Sequence, residues 1–214
     1  MKAGVKMMTK KIYEGIDLSR HNVVTNWDKV KDQVDFCILR AGGNYGGYYK
    51  DSKFEQYYAA CKKRGIPVGA YYDAGKELWC NDGKEYAQHF LKLIQGKTFE
   101  YPVYIDIEVT PKRYKKANTG AAVAFCEEME AHKYFTGIYG SDINTFKEML
   151  IYDLVTPYTL WVARYGKKPE YVKQYAMWQY TSKGAIVGIK GNVDKDQCYT
   201  DFPKIMKGVH LTGY

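Results

Sequence analysis

The sequence lacks the features that would commit it to several common chemistries. Its 214 residues include five cysteines, Cys37, Cys61, Cys80, Cys126 and Cys198, an odd and widely spread set with no CxxC pair. Such spacing argues against a disulfide framework or a zinc site and leaves most of them to be buried free thiols. The four histidines, His21, His89, His132 and His210, are dispersed and show no metal spacing. No stretch approaches the ~20 apolar residues of a membrane span, so no membrane insertion is expected. There is no GxGxxG, no P-loop and no serine nucleophile elbow, so nucleotide binding and serine-nucleophile catalysis are without their usual signatures. Met1–Lys11 is basic with no apolar run after it, and no secretory signal is visible there.

Acidic residues are also in deficit. Lys and Arg outnumber Asp and Glu by 32 to 24, a formal net charge of +8. A basic protein is drawn to polyanions, including nucleic acid, anionic membrane and acidic cell wall. No RNA-binding aromatic motif or zinc-finger spacing accompanies the charge, so a nucleic-acid partner is not expected. The lysine pairs Lys62–Lys63, Lys115–Lys116 and Lys167–Lys168 read as a solvated surface.

What is present is an ordinary globular composition, 46% hydrophobic and 26% charged, of a length that suits one α/β domain. The expected division is an N-terminal extension over residues 1–12 and one folded domain over residues 13–214. Aromatics are abundant, with 22 Tyr, eight Phe and four Trp. Tyrosine joins an apolar face to a hydroxyl, which suits sugar clefts as well as cores.

Strand-like and helix-like runs alternate. Strands are expected at Tyr13–Leu18, Asp35–Ala41, Pro67–Tyr72, Tyr101–Glu108 and Phe135–Tyr139. Helices are expected at Trp27–Gln33, Lys53–Arg64, Glu85–Ile94, Gly120–His132 and Ile143–Tyr152, with Gly65 and Gly96 as stops. Three further strands, Tyr158–Tyr165, Tyr175–Thr181 and Val187–Val193, follow with little helix between them. Five βα units and three strands predict an irregular TIM-like (β/α)5(β)3 barrel.

Polar and aromatic residues collect at the strand ends: Asp17, Arg40, Tyr71, Asp106 with Glu108, Tyr139, Arg164, Gln179 and Asp194. In such barrels the C-terminal strand ends form the active face. Asp106 and Glu108, two apart on one expected strand, would point to the same side. Paired carboxyls can flank a glycosidic bond, one protonating the leaving oxygen while the other assists at the anomeric carbon. Mutual repulsion and desolvation would raise the pKa of one of them. A DxE string alone is common, and an acidic cluster can also hold a hard cation. Trp161 and Trp178 fit either core or cleft.

Read together, the motifs are specific. GIDLS (Gly15–Ser19), FCILRAG (Phe36–Gly42), GIPVGAYY (Gly65–Tyr72), PVYIDIE (Pro102–Glu108), GIYGS (Gly137–Ser141), LWVARYG (Leu160–Gly166), MWQYTSKG (Met177–Gly184) and GIKGNVD (Gly188–Asp194) occur in order. In these strings the chain resembles the family 25 glycoside hydrolases, the Chalaropsis-type lysozymes that include phage endolysins and bacterial autolysins. The resemblance implies a β-1,4-N-acetylmuramidase acting on the peptidoglycan glycan strand of the bacterial cell wall, monomeric and without metal or organic cofactor. By position it implies Glu108 as general acid/base and Asp106 as its partner, either nucleophile or orienting group for the substrate's 2-acetamido. It implies Asp17 and Asp194 as further cleft acids, and Arg40, Tyr71, Tyr139, Trp161, Arg164 and Gln179 as substrate-binding residues. The segment SRHNVV after Asp17 lacks the family's usual glycine, so His21 and Asn22 carry no assigned role. Asp196 stands where the family often has Asn. With no signal visible, the expected setting is a phage endolysin released from the host cytoplasm, or a fragment of a secreted protein. The competing readings are a chitinase-like glycosidase and a non-catalytic wall-binding module.

Overall fold

Apolar runs that need cover on both faces become the staves of a barrel. The computed structural model describes residues 11–80, 82–209 and 211, so the expected extension over residues 1–12 lies almost wholly outside the described residues, as does His210. In chain order the elements are β1 (Tyr13–Leu18), β2 (Val23–Val24), α1 (Trp27–Lys31), β3 (Phe36–Asn44), β4 (Tyr48–Lys50), α2 (Phe54–Arg64) and β5 (Val68–Asp73). They continue with α3 (Gly83–Leu93), β6 (Val103–Asp106), α4 (Lys115–Ala131), β7 (Thr136–Ser141), α5 (Tyr152–Val155) and β8 (Thr159–Ala163). The chain closes with β9 (Met177–Gly184), β10 (Ile189–Lys190), β11 (Val193–Cys198) and α6 (Phe202–Val209).

The sheet order is β1-β11-β9-β8-β7-β6-β5-β3-β4, and a further β1–β3 pairing closes it into a barrel with β4 left as an outer strand. Neighbours pair in parallel from β1 through β3, β5, β6, β7 and β8 to β9. β11 runs against both β1 and β9, so its first residues lie beside the last residues of β1, and Asp194 pairs in register with Asp17. The expected barrel with an irregular last third is thus present. α4 begins at Lys115, ahead of the expected Gly120, and two other elements depart further from expectation. The eighth stave is Val193–Cys198 and not Val187–Val193, whose middle instead forms a two-stranded ribbon, β10 with β2. The expected helix over Ile143–Tyr152 is a π-helical stretch, Asn144–Met149, followed by the short α5.

Helix ends follow local chemistry. Asn26 and Asp82 cap α1 and α3 by accepting from the backbone N–H of Lys29 and Lys84. Gly65 closes α2 in the left-handed region at φ 67°, where a side chain would be strained.

Two layers of core result. One lies between staves and helices and includes Tyr72, Tyr86, Phe90 and Phe125. The other fills the barrel with Phe36, Ile38, Tyr71, Tyr101, Tyr104, Tyr139, Trp161, Met177 and Phe202. Phe36 has room because Gly15 on the neighbouring stave lacks a Cβ, which would sit 2.2 Å from its ring. α6 stoppers the end of the barrel opposite the C-terminal strand ends. Phe202 packs edge-on to Tyr101 and Phe135, which lie just before β6 and β7, and Met206 is buried beside it.

Candidate active site

At the other mouth, where the parallel strands end, a pocket of about 150 Å³ opens to solvent. It is lined by Asp17, Tyr71, Asp106, Glu108, Tyr139, Trp161, Tyr165, Gln179 and Asp194. All four expected cleft acids therefore meet, with the expected Tyr71, Tyr139, Trp161 and Gln179. One detail of their placement differs. β6 ends at Asp106, so Glu108 stands on the connection beyond the strand, where the N–H of Ile107 still bonds the Tyr139 carbonyl at 3.0 Å. Asp106 is buried in the floor, whereas Glu108 sits at the mouth within reach of solvent.

The floor is a hydrogen-bonded frame. Gln179 donates through Nε2 to Asp17 Oδ2 at 2.7 Å, and its Oε1 accepts from the hydroxyls of Tyr139 at 2.9 Å and Tyr165 at 3.0 Å. Beneath it Trp161 donates to Asp196 Oδ1 at 2.8 Å, and its ring lies 4.3 Å from that of Tyr139. These contacts hold the aromatic rings in fixed planes around the acids. Asp106 Oδ1 and Asp196 Oδ2 are buried without a hydrogen-bond partner among the described residues.

Crowding of acids in a desolvated floor disfavours charge. Burial pushes Asp106 well above the usual carboxylate range, reinforced by Glu108, Asp73 and Asp17 and opposed by Arg40. Glu108 is raised by desolvation, then by Asp73 and Asp194, with the Tyr139 hydroxyl drawing it back. Asp17 is raised well by burial and by Asp196 and Asp194, and Asp194 itself is raised by desolvation. The four acids thus hold protons to higher pH than solvated carboxylates do.

Two expected substrate contacts lie outside the pocket lining. Arg40 pairs through Nε with Asp51 at 2.8 Å, and Arg164 bridges Asp142 and Glu170, both at 2.8 Å. Asp142 also accepts from the backbone N–H of Glu170, Tyr171 and Val172, so Arg164 closes a clamp on the segment after β8. Trp178 donates to the Arg164 carbonyl at 2.7 Å and belongs to the same clamp. Asp73 and Tyr165 were missed. Asp73 ends β5 in register with Asp106 and takes the Tyr49 hydroxyl at 2.8 Å. Its place at a strand end was the available signal. Tyr165 follows β8, and nothing in the sequence says that its loop folds back over Gln179. Among the described residues no group of three or more His, Cys, Asp or Glu is placed to hold a metal ion. Four cysteines are buried and Cys80 is exposed.

An acid-lined pocket at the C-terminal mouth of an α/β barrel is the plan of a barrel glycosidase. Residues 16–189 match the model of glycosyl hydrolases family 25, and the chain belongs to that family. It is 27% identical over 186 residues to the autolytic lysozyme of Clostridium acetobutylicum, covering 86% of this chain and 55% of the relative. It is 24% identical to lysozyme M1 of Streptomyces globisporus, covering 86% of this chain and 67% of that protein. The chain therefore spans little more than half the length of the first of these relatives. Among solved structures, the CTP1L endolysin superposes with a TM-score of 0.78 at 28% identity, over 92% of this chain and 70% of that one. The bacterial lysozyme of Streptomyces coelicolor shares the fold, with a TM-score of 0.77 at 22% identity over 91% of this chain and 95% of that one.

Proposed function

We propose that the chain is a lysozyme that hydrolyses the β-1,4 bond between N-acetylmuramic acid and N-acetylglucosamine in bacterial peptidoglycan. The observation that carries the reading is the pairing of Glu108, raised and reachable at the mouth, with Asp106, buried below it with Oδ1 unpartnered. Membership of the glycosidase family and the lysozyme relatives support it.

Protonated Glu108 gives its proton to the glycosidic oxygen as the C1–O bond breaks. The substrate's own 2-acetamido oxygen closes on C1 from the opposite face. Asp106 lines the pocket and, as a carboxylate at this step, accepts the acetamido N–H and steadies the cationic ring, with the proton on Glu108. Water then adds to C1, losing a proton to the Glu108 carboxylate and reopening the acetamido ring. The acid is restored and the configuration at C1 is retained. Asp106 is assigned to orienting and not to attack because it is buried in the floor, below Glu108 at the mouth. Asp17 and Asp194 complete the acidic frame through Gln179 and the register of β1 with β11.

The test is turnover of purified walls by Glu108→Gln and Asp106→Asn. Loss of general acid catalysis predicts a fall of about 10²–10⁴-fold in kcat for Glu108→Gln, with wall binding retained. Asp106→Asn keeps the shape and should lose kcat with little change in KM. Product followed by proton NMR as it forms should carry the β anomer; initial α product would refute the acetamido route.

A further inference from the structure

The segment that carries Glu108 continues into a feature that the cleft chemistry leaves unused. After Pro111 come Lys112, Arg113, Tyr114, Lys115 and Lys116, which lead into α4. None of these cations is in an ion pair with an acid of the described residues. Lys112 and Lys115 reach neutral oxygens instead, Asn144 Oδ1 at 3.4 Å and the Lys147 carbonyl at 2.6 Å. Like charges so close repel, and the first turn of α4 carries no acid to offset them. Fold stability does not account for this charge.

The patch is also ordered. The Arg113 guanidinium lies 4.7 Å over the Tyr114 ring, and Tyr114 stacks on Trp79 at 4.0 Å and 15°. Trp79 belongs to the turn Leu78–Cys80 after β5, so one column ties the connections that follow two adjacent staves. Beside it an open groove of about 500 Å³ is lined by Arg113, Tyr114, Lys116 and Ala117. Next to Glu108 in the chain, the exposed Val109 adds apolar surface.

The pocket at Glu108 is small for a polymer, so a glycan strand seated there must run on across the rim. We propose that the groove at Arg113, Tyr114 and Lys116 is a remote binding surface for the same peptidoglycan strand. Arg113 and Lys116 take the carboxylates of its peptide stems, and Tyr114 takes an apolar face of stem or sugar. Guanidinium and ammonium groups suit carboxylates, and an aromatic between them suits an amphipathic chain. The occupant is peptidoglycan and not a phosphate-rich wall polymer, because the groove shares a segment with Glu108 and the strand held there is already at hand. The identity of the polymer rests on the lysozyme reading above.

The experiment is co-sedimentation with purified peptidoglycan stripped of phosphate polymers by hydrofluoric acid. It uses the Glu108→Gln chain, so that the wall stays intact, with and without Arg113→Glu and Lys116→Glu. Reversing two exposed cations should weaken binding roughly fivefold to tenfold and flatten its salt dependence. In the active chain the same changes should raise KM on walls by a similar factor and leave turnover of a short soluble oligosaccharide unchanged. Unaltered binding to stripped walls overturns the proposal, as does an equal loss on walls and on the short oligosaccharide. A loss seen only with unstripped walls would transfer the surface to phosphate polymers and overturn it too. Failure of the lysozyme reading looks different: the unsubstituted chain would release no fragments from walls, whatever stands at positions 113 and 116.

Discussion

Asp196 shows what single residues contribute to this site. It is fully buried, accepts from Trp161 on one oxygen and has no partner among the described residues on the other. Burial, then Asp194 and Glu14, pushes its pKa well up, against the pull of the Trp161 hydrogen bond. An acid whose folded pKa is raised binds its proton more tightly folded than unfolded. Its cost is nil below the unfolded value of about 4 and grows as pH rises toward the folded value. Asp196→Asn keeps an acceptor for Trp161 and removes that cost. The variant should match the parent in melting temperature near pH 3.5 and exceed it at neutral pH by about 1–2 kcal/mol of stability. Thermal unfolding across pH checks this, and a gap that shrinks as pH rises would show that the side chain is charged and satisfied in the fold. Asp17, Tyr71, Asp106, Glu108, Tyr139, Trp161, Gln179 and Asp194 were legible as a site from their positions near strand ends. Arg40 and Arg164 were legible as strand-end cations, but their acid partners Asp51, Asp142 and Glu170 come from connections whose path the sequence does not state.

At the scale of elements, staves with two apolar faces were the easiest to read. β1 has the expected bounds, and β3 and β5 begin within a residue of theirs, because glycine and proline bracket apolar runs. β11 escaped for a physical reason. Its sequence, VDKDQC, is polar because its inward positions serve the site, so apolar content pointed to the run before it. α6 escaped because it is short and lies past the last motif, yet it stoppers the barrel. Phe202 is buried between Tyr101 and Phe135, and Phe202→Ala should cost about 3–5 kcal/mol. Urea unfolding measures this directly. A loss below about 1 kcal/mol would mean that α6 is an appendage and not part of the core.

For the whole molecule, the net charge of +8 and the acid-lined pocket divide the work. The excess of basic residues favours an acidic polymer, while Asp17, Asp106, Glu108 and Asp194 gather acid at the pocket. Wall lysis should therefore fall with added salt at fixed pH, through KM more than kcat, since exposed charges are screened within about 10 Å at 0.1 M. Turbidity loss of purified walls across ionic strengths tests this, and salt-independent KM would remove surface charge from the account. The charge itself was plain in the composition. The stacking of Tyr114 on Trp79 that orders the basic run Lys112–Lys116 was not, because Trp79 lies more than thirty residues earlier in the chain.

The most direct test of the central claim is mass analysis of borohydride-reduced fragments released from purified peptidoglycan by the unsubstituted chain and by Glu108→Gln. Muramitol ends from the unsubstituted chain alone would establish the cut after N-acetylmuramic acid and place Glu108 in the chemistry. Glucosaminitol ends would move the cut to the other bond, and no new ends from either chain would make this barrel a binding module.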